Sequence, residues 1–307
     1  MMSSIDIIIV NWNSGSYLAE CLLSIESSLK NNFKLNRVIV IDNASTDGSF
    51  ENINQTLLPV TVIMNSENLG FAKASNQGAY KSEADFLLFL NPDTRLFENS
   101  LSESISFMMK VENEEIGILG IQIINEAGEI SRNCARFPST WSIVYTSLGL
   151  DKLFPTVFPG HFMMDWDHNS SRAVDQVMGS FFFVRRNLFE RLSGYDERFF
   201  VYYEDLDFAF RARKIGYHCY FLSTAQMFHK GGGTTEKIKA ERLFYILQSK
   251  LLFCRKHFNK CSYFLIFFIS LLLEPFVRIF GVFVKGSFSE VGEIIRGFKK
   301  FILQCVK

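Results

Sequence analysis

The chain has 307 residues, 48% hydrophobic and 21% charged, enough for one large packed domain with or without an appendage and too apolar for a disordered protein. Its 32 Lys and Arg balance 32 Asp and Glu, which argues against a nucleic-acid binder, although residues 241–307 are basic and the rest acidic. The six cysteines lack a C-x-x-C pair or histidines at zinc-finger spacing and read as reduced and packed, and the absence of a signal-peptide pattern at the N-terminus gives a cytosolic expectation.

Four β-rich apolar runs open the chain: Ile5–Val10, Arg37–Asp42, Val60–Asn65 and Asp85–Leu90. None alternates cleanly, which suits strands buried on both faces. Between them, Tyr17–Leu29, with Leu18, Cys21, Leu22 and Ile25 in register, and Gly70–Tyr80 have helical spacing. Alternating strand and helix predicts an α/β open sheet with helices on both faces, whose ligands lie beyond the carboxyl ends of the strands. Polar clusters fall at those ends: Asn11-Trp12-Asn13, Asp42 to Gly48, Asn65 to Gly70, and Asn91-Pro92-Asp93. Each is ordinary turn chemistry. Four in succession outline one polar rim.

Further on, Ile116–Ile124 and Val174–Val184 read as strands, and Gly179 inside the second marks a bulge or a close backbone approach. Leu206, Phe210 and Ile215 then form a helical stripe with Glu204, Asp205 and Asp207 in the first turn. Acidic residues at a helix start gain about 0.3–1 kcal/mol from the helix dipole alone. That accounts for Asp207 better than for the adjacent pair Glu204-Asp205.

The tail begins with a predicted long helix, Glu236–Phe258, followed by the apolar run Tyr263–Leu273, then Glu274-Pro275 and a second apolar segment. The run is well short of the roughly 20 residues needed to span a bilayer. Abundant Phe flanked by Lys256, Lys260, Arg278, Lys285, Lys299 and Lys300 suits amphipathic helices lying in the cytoplasmic membrane surface, each cation adding about 1 kcal/mol near anionic lipid. The alternative is a helical hairpin buried in a homo-oligomer.

The segments "IIIVNWNSGSYLAECLLSI", "VIVIDNASTDGS", "NLGFAKASNQG" and "FLNPDT", followed by "GSFFFVRR", "GYDERFFVYYEDLDFAFRARKIGY" and "FHKGGGT", resemble in order and spacing the family 2 glycosyltransferases of GT-A fold, particularly their rhamnosyltransferase-like branch. The likeness runs from Ile5 to Thr235. It implies a nucleotide-sugar-binding, Rossmann-like catalytic domain at 1–235 and leaves 236–307 as a helical, membrane-associating region.

The resemblance further implies that Asp93, at the last position of the family's D-x-D motif, binds a divalent cation, Mn²⁺ or Mg²⁺, bridging the donor diphosphate. The sequence departs from that motif with Asn91, an oxygen ligand lacking the charge. His229 is implied as the second protein ligand, and the Gly231-Gly232-Gly233 run after it suits a closing lid. By the same resemblance Asp42, with Asn43, selects UDP- or dTDP-sugars through the base N3–H, and Asn11 lies beside base and ribose. Asn68, Gly70 and Lys73 approach the diphosphate or sugar; here the free N–H groups of a helix opening at Gly70 give a physical reason as well. Asp205 is implied as the catalytic base, a carboxylate needing position more than pKa tuning, and Glu204 as a residue orienting the acceptor.

The expected activity is inverting, metal-dependent transfer of a sugar, rhamnose by the branch, to a glycan or lipid-linked oligosaccharide in cell-surface polysaccharide synthesis. Two alternatives stand beside it: a nucleotidyltransferase, which would carry a Gly- and Lys/Arg-rich loop where this chain has Asn11-Trp12-Asn13-Ser14, and a noncatalytic nucleotide-sugar-binding or membrane scaffold protein. No G-x-G-x-x-G follows the first strand, which argues against a dehydrogenase.

Overall fold

The apolar runs become strands. The structure, a computed structural model, describes residues 2–28, 32–51, 53, 56–231 and 238–305. Twelve strands are found among them: β1 (Ser4–Asn11), β2 (Lys34–Asp42), β3 (Val60–Met64), β4 (Phe86–Leu90), β5 (Thr94–Leu96), β6 (Ile116–Ile124), β7 (Ile130–Ser131), β8 (Cys134–Ala135), β9 (Arg172–Val174), β10 (Gln176–Val177), β11 (Phe181–Arg185) and β12 (His218–His229). The α-helices are α1 (Tyr17–Ser27), α2 (Phe71–Ala79), α3 (Ser100–Met108), α4 (Thr140–Ser147), α5 (Leu150–Leu153), α6 (Arg186–Arg191), α7 (Glu204–Lys214), α8 (Lys239–His257), α9 (Lys260–Leu272), α10 (Glu274–Lys285) and α11 (Val291–Cys305). They divide into two units. One holds Met1–Arg136, Met163–Glu197 and Glu204–Thr234; the other holds Phe137–Phe162, Arg198–Tyr203 and Thr235–Lys307.

The first unit is α/β, built on an open sheet of order β3-β2-β1-β4-β11-β6-β12-β5. The first four strands are parallel, and β11 then runs antiparallel to both β4 and β6. Both faces are covered. Ile5, Ile7 and Ile9 pack with Leu18, Leu22 and Ile25 of α1 and Leu101 and Ile105 of α3. On the opposite face, Phe89 meets Phe189 of α6, and Phe182 meets Phe208 of α7. Two buried faces explain why the runs did not alternate, and why Phe181, Phe182 and Phe183 are all fully buried. Helix α2 approaches that second face at Gly78, where a Cβ would stand 2.9 Å from the side chains of both Ile8 and Ile41.

Two differences from the sequence-based expectation bear on the site. The single strand expected over Val174–Val184 is broken into β9, β10 and β11, and between β10 and β11 the Gly179 N–H donates to a side chain, Asp205. The twelve-residue β12 was not anticipated. Its pairing with β6 shifts register between Leu222 and Gln226, so a bulge interrupts the period that would have revealed it. Ile215, expected in the helical stripe, falls just past the end of α7.

The second unit is helical. Leu243, Leu247 and Leu251 of α8 pack with Ile266 of α9, Phe298 and Phe301 of α11, and Ile143 and Val144 of α4. Gly297 lets α11 close on α8, since a Cβ there would lie 2.9 Å from the Ala240 carbonyl oxygen. Between α9 and α10 the axis bends by 46°. At that bend the Glu274 carboxylate, 1% exposed, accepts hydrogen bonds from Lys250 (2.5 Å) and Arg278 (2.8 Å). Burial alone would raise its pKa, yet the two cations hold it below the ordinary value. A buried carboxylate needs such partners, and they fix the register of α10 against α8.

Phe264, Phe268, Leu272, Phe276 and Phe280, four residues apart, carry an exposed apolar stripe across the bend, with Phe276 72% and Phe280 70% exposed. Among the described residues no single helix is long and apolar enough to cross a membrane. All six cysteines are unpaired, and Cys21, Cys134, Cys219 and Cys254 are buried.

Candidate functional site

The carboxyl ends of β1 and β2 are tied by polar side chains. Asn11, fully buried, donates from Nδ2 to Asp42 Oδ1 and to Ser49 Oγ, each at 2.8 Å. The other Asp42 oxygen accepts the Ser45 N–H at 3.0 Å. Asp42 is 1% exposed, so in this state it braces the loop, and a base N3–H would have to share oxygens already engaged. Asn13 and Ala44, with φ of 51° and 61°, take left-handed turns, and Asn13 Oδ1 accepts the Thr46 N–H. The two loops thus form one ledge.

A second amide network shapes the entrance to α2. Asn43 donates to Asn68 Oδ1 (2.9 Å) while its own oxygen receives the Asn65 amide and the Leu69 N–H, both at 3.1 Å. Asn68 Oδ1 also accepts the Gly70 N–H, which is therefore engaged inside the turn. Gly70 has φ 83°, a conformation glycine adopts without strain. Lys73 is exposed in the first turn of α2.

The third group lies where β4 ends. Asn91 donates its N–H to Ser180 O (3.1 Å), and the chain turns so that Thr94 of β5 pairs with His229 of β12. Asp93 Oδ1 comes within 3.3 Å of His229 Nε2, with Asp93 only 7% exposed. That imidazole nitrogen is buried and makes no hydrogen bond among the described residues. Adjacent ligands at about 2.1 Å from an octahedral ion lie about 3 Å apart, so an oxygen and an unoccupied nitrogen at this separation fit a divalent cation. Among the described residues no group of three or more His, Cys, Asp or Glu side chains gathers into a metal cage. A 170 Å³ cleft beside Asp93 is lined by Tyr17, Glu20, Arg95, Glu126 and Lys230, the last paired with Glu126 at 3.3 Å. Of the glycine run after His229, Gly232 and Gly233 lie outside the described residues.

The fourth group opens α7. Tyr202 and Tyr203, with φ of 67° and 69°, precede it in the left-handed region, each costing on the order of 1 kcal/mol or more. Glu204 is buried, and its Oε2 has no hydrogen-bond partner among the described residues. Burial, then the neighbouring Asp205 charge, pushes its pKa well above the ordinary range. Half-buried Asp205 accepts N–H bonds from Gly179 (2.9 Å) and Leu206 (2.7 Å). Burial still raises its pKa against these donors, so it is more basic than the ordinary carboxylate expected from sequence. Asp207 belongs to the fold: it accepts from Arg211 Nε at 2.7 Å, and that guanidinium also caps the carbonyls of Leu192 and Gly194.

The register joins the third and fourth groups. Leu90 pairs with Phe181, Asn91 with Ser180, and the next residue back, Gly179, holds Asp205. The turn carrying Asp93 and the peptide gripping Asp205 therefore leave the same end of two paired strands. Sequence reasoning missed Tyr195 and Asn76. Asn76, 1% exposed, donates to Tyr195 O and accepts its N–H, joining α2 to the turn before α7. The only signal was Gly179, flagged as a site of close backbone approach.

An open α/β sheet with a polar rim at its strand ends is the architecture of a GT-A type fold, and comparison supplies the family. The sequence model of glycosyl transferase family 2 matches residues 6–165, just over half the chain, and that of glycosyl transferase family group 2 matches 86–289. The chain belongs to glycosyl transferase family 2 and is a glycosyltransferase. It is 24% identical over 259 residues to an N-acetylglucosaminyl-diphospho-decaprenol L-rhamnosyltransferase of Mycobacterium tuberculosis, covering 79% of this chain and 81% of that one. Its fold is similar to that of the mannosyltransferase PcManGT from Pyrobaculum calidifontis in complex with GDP-Man and Mn²⁺ (TM-score 0.58, 14% identity, 97% of this chain and 86% of that chain). S. aureus TarS 1-349 in complex with UDP-GlcNAc is a further likeness (TM-score 0.55, 16% identity, 97% and 80%).

Because the folded pKa of Glu204 is raised, its contribution to stability is complete below the ordinary Glu value and is lost as pH rises through the folded one. Glu204→Gln is therefore expected to match the parent protein below pH about 4 and to exceed it in stability at neutral pH. Urea unfolding across that range reads the difference; equal stability at every pH would show that Glu204 carries no such penalty.

Proposed function

We propose that this glycosyltransferase is inverting and divalent-metal-dependent and moves a sugar, rhamnose foremost, from a UDP- or dTDP-sugar to a lipid-linked or glycan acceptor in cell-surface polysaccharide synthesis. The observation that carries the reading is the approach of Asp93 Oδ1 to His229 Nε2 at 3.3 Å, a nitrogen without a hydrogen-bond partner among the described residues, with Asp93 in the turn after β4 and Gly179, which holds Asp205, just before β11. The relative named for a decaprenol-linked acceptor supports the acceptor class, and the Mn²⁺ in the mannosyltransferase complex supports dependence on a divalent metal.

In this reading the β1 and β2 ledge, with Asn11, Asp42 and Asn43, walls the nucleoside. Asn68, Gly70 and Lys73 flank the diphosphate and sugar. Asp93 and His229, with Asn91 beside them, would hold Mn²⁺ or Mg²⁺. The cation supplies positive charge for a diphosphate that leaves more negative than it arrived. Asp205 takes the acceptor hydroxyl's proton while that oxygen bonds to the anomeric carbon. The bond from that carbon to the diphosphate oxygen breaks at the same time, its electron pair leaving with the nucleoside diphosphate. One displacement inverts the centre. Glu204, buried and uncommitted at Oε2, orients the acceptor.

Asp93→Ala is expected to lose Mn²⁺ binding and at least about 100-fold in transfer while keeping its fold, and Asp205→Asn to lose transfer by about 10²–10⁴-fold with donor binding intact. UDP or dTDP release with a panel of donors, together with calorimetry of Mn²⁺ and donor, measures both; full transfer in either folded variant contradicts the reading.

We also propose peripheral attachment to the cytoplasmic membrane surface through the second unit. Support comes from the exposed Phe264-Phe268-Leu272-Phe276-Phe280 stripe and the basic tail that carries it. Replacing Phe264, Phe268, Phe276 and Phe280 together by Ser leaves the packed core of that unit untouched. The substitution is expected to release the protein from anionic liposomes in flotation. Unchanged flotation would refute the attachment, and loss of a homo-oligomer instead would assign the stripe to a second copy.

A further inference from the structure

His168, in the loop before β9, is fully buried, stacked on Trp166 at 4.1 Å and edge-on to Phe221 of β12. Its backbone takes φ 60°, a left-handed turn that a β-carbon disfavours, and its carbonyl accepts the Gln122 amide at 2.7 Å. Both ring nitrogens are engaged. Nδ1 lies 3.1 Å from the Trp166 carbonyl oxygen, which can only accept, so Nδ1 carries the hydrogen. Nε2 faces the Cys134 N–H at 3.2 Å, which can only donate, so Nε2 is the bare nitrogen. The two partners therefore select one neutral tautomer. A proton added at Nε2 would set two N–H groups against each other.

The Cys134 N–H leads to the proposed base. Cys134 pairs with Val177 in the β8–β10 ladder, and the Asn133 carbonyl just before it accepts the Met178 N–H at 3.0 Å. The next N–H along, that of Gly179, is the one Asp205 accepts at 2.9 Å. The ladder has two residue pairs, so each further bond to it matters. Two cations and one carboxylate face the His168 ring. Arg132, before β8, donates to the Met164 carbonyl; Arg172 of β9 lies over Trp166 at 5.1 Å; the Asp167 carboxylate accepts the Asn169 N–H and amide. From β6 and β12 come an amide, Gln122, and a ring, Phe221, while burial pushes the Cys134 thiol up to about 12. Burial, the largest effect, holds the His168 pKa below the ordinary imidazole value.

We propose that His168 is a positioning residue for the transfer reaction, a neutral imidazole that pins the β8–β10 ladder and through it the Gly179 N–H against Asp205, and that protonation withdraws the pin. The proposal rests on the reading of Asp205 as base. Because the folded state disfavours the charged ring, the stability His168 gives is complete above the ordinary His pKa and is lost as pH falls through the lowered folded value. Acid is therefore expected to release the Gly179 end of the site while the core sheet stays closed.

The test uses the full ¹⁵N-labelled chain without substrate, with His168→Gln and Asp205→Asn beside it. Long-range ¹H–¹⁵N spectra at neutral pH should show His168 with its hydrogen on Nδ1 and a bare Nε2. As His168 takes up a proton, exchange protection at the Cys134 and Gly179 amides should fall together by about tenfold, the scale of one lost hydrogen bond, while that of Ile8 in β1 holds. His168→Gln, which cannot titrate, should lack that step, and its kcat/KM for transfer should fall less steeply towards acid than the parent's. An Nε2–H tautomer, or a ring charged at neutral pH, overturns the inference. So does protonation of His168 that leaves either amide protected, or that exposes Ile8 as well, since the pin would then be absent or global. These spectra are of the parent chain, so a His168→Gln that fails to fold leaves them decisive. If Asp205→Asn is inactive and parent and His168→Gln share one acid limb, the positioning role falls while the base assignment stands. Full transfer by Asp205→Asn instead removes the reading beneath it.

Discussion

The site depends on how β4 ends. Buried on both faces and paired on both sides, this strand cannot slip by a residue without sending Phe86, Leu88 and Leu90 to the wrong layer. Its register is thereby fixed to β11, and two consequences follow within a few residues. Forward along the chain, the turn delivers Asp93 against His229. Backward along β11, Ser180 closes the ladder with Asn91 and frees Gly179 to hold Asp205. The hydrophobic core thus sets the spacing of polar groups that the core itself excludes.

Those polar groups are kept at a cost in stability. His229 Nε2, Glu204 Oε2 and Gln176 Oε1 are all buried without a hydrogen-bond partner among the described residues, and Tyr202 and Tyr203 enter α7 in an unfavourable backbone region. Burial that leaves donors and acceptors unmet is characteristic of sites prepared for a ligand rather than for the fold. The Lys250–Glu274–Arg278 cluster in the helical unit is the contrast, a buried charge with its partners in place.

Much of this was legible because it is local. Non-alternating apolar runs gave the parallel strands, and the turn residues after each gave the rim, with Asn11, Asp42 and Asn91 at strand ends and Asn68 in the turn before α2. What escaped depends on pairing over long separations. The bulge between Leu222 and Gln226 hides β12, so the antiparallel match of His229 with Thr94 could not be derived from periodicity. Gln176 belongs to a two-residue strand, too short to carry a pattern. The resemblance implies a base-facing Asp42, and what sequence did not show is that Asn11 and the Ser45 N–H engage both its oxygens. The raised pKa of Asp205 comes from burial, which composition around a helix start does not reveal.

The turn carrying Asp93 and the peptide holding Asp205 leave the same end of the paired strands β4 and β11, and the proposed transfer needs both at one donor. Paramagnetic broadening tests it directly: with Mn²⁺ and nucleoside diphosphate bound, the ¹³C-carboxyl signal of Asp205 should broaden strongly relative to the Mg²⁺ complex, and Asp93→Ala should abolish the effect. An Asp205 signal indifferent to bound Mn²⁺ would contradict the account.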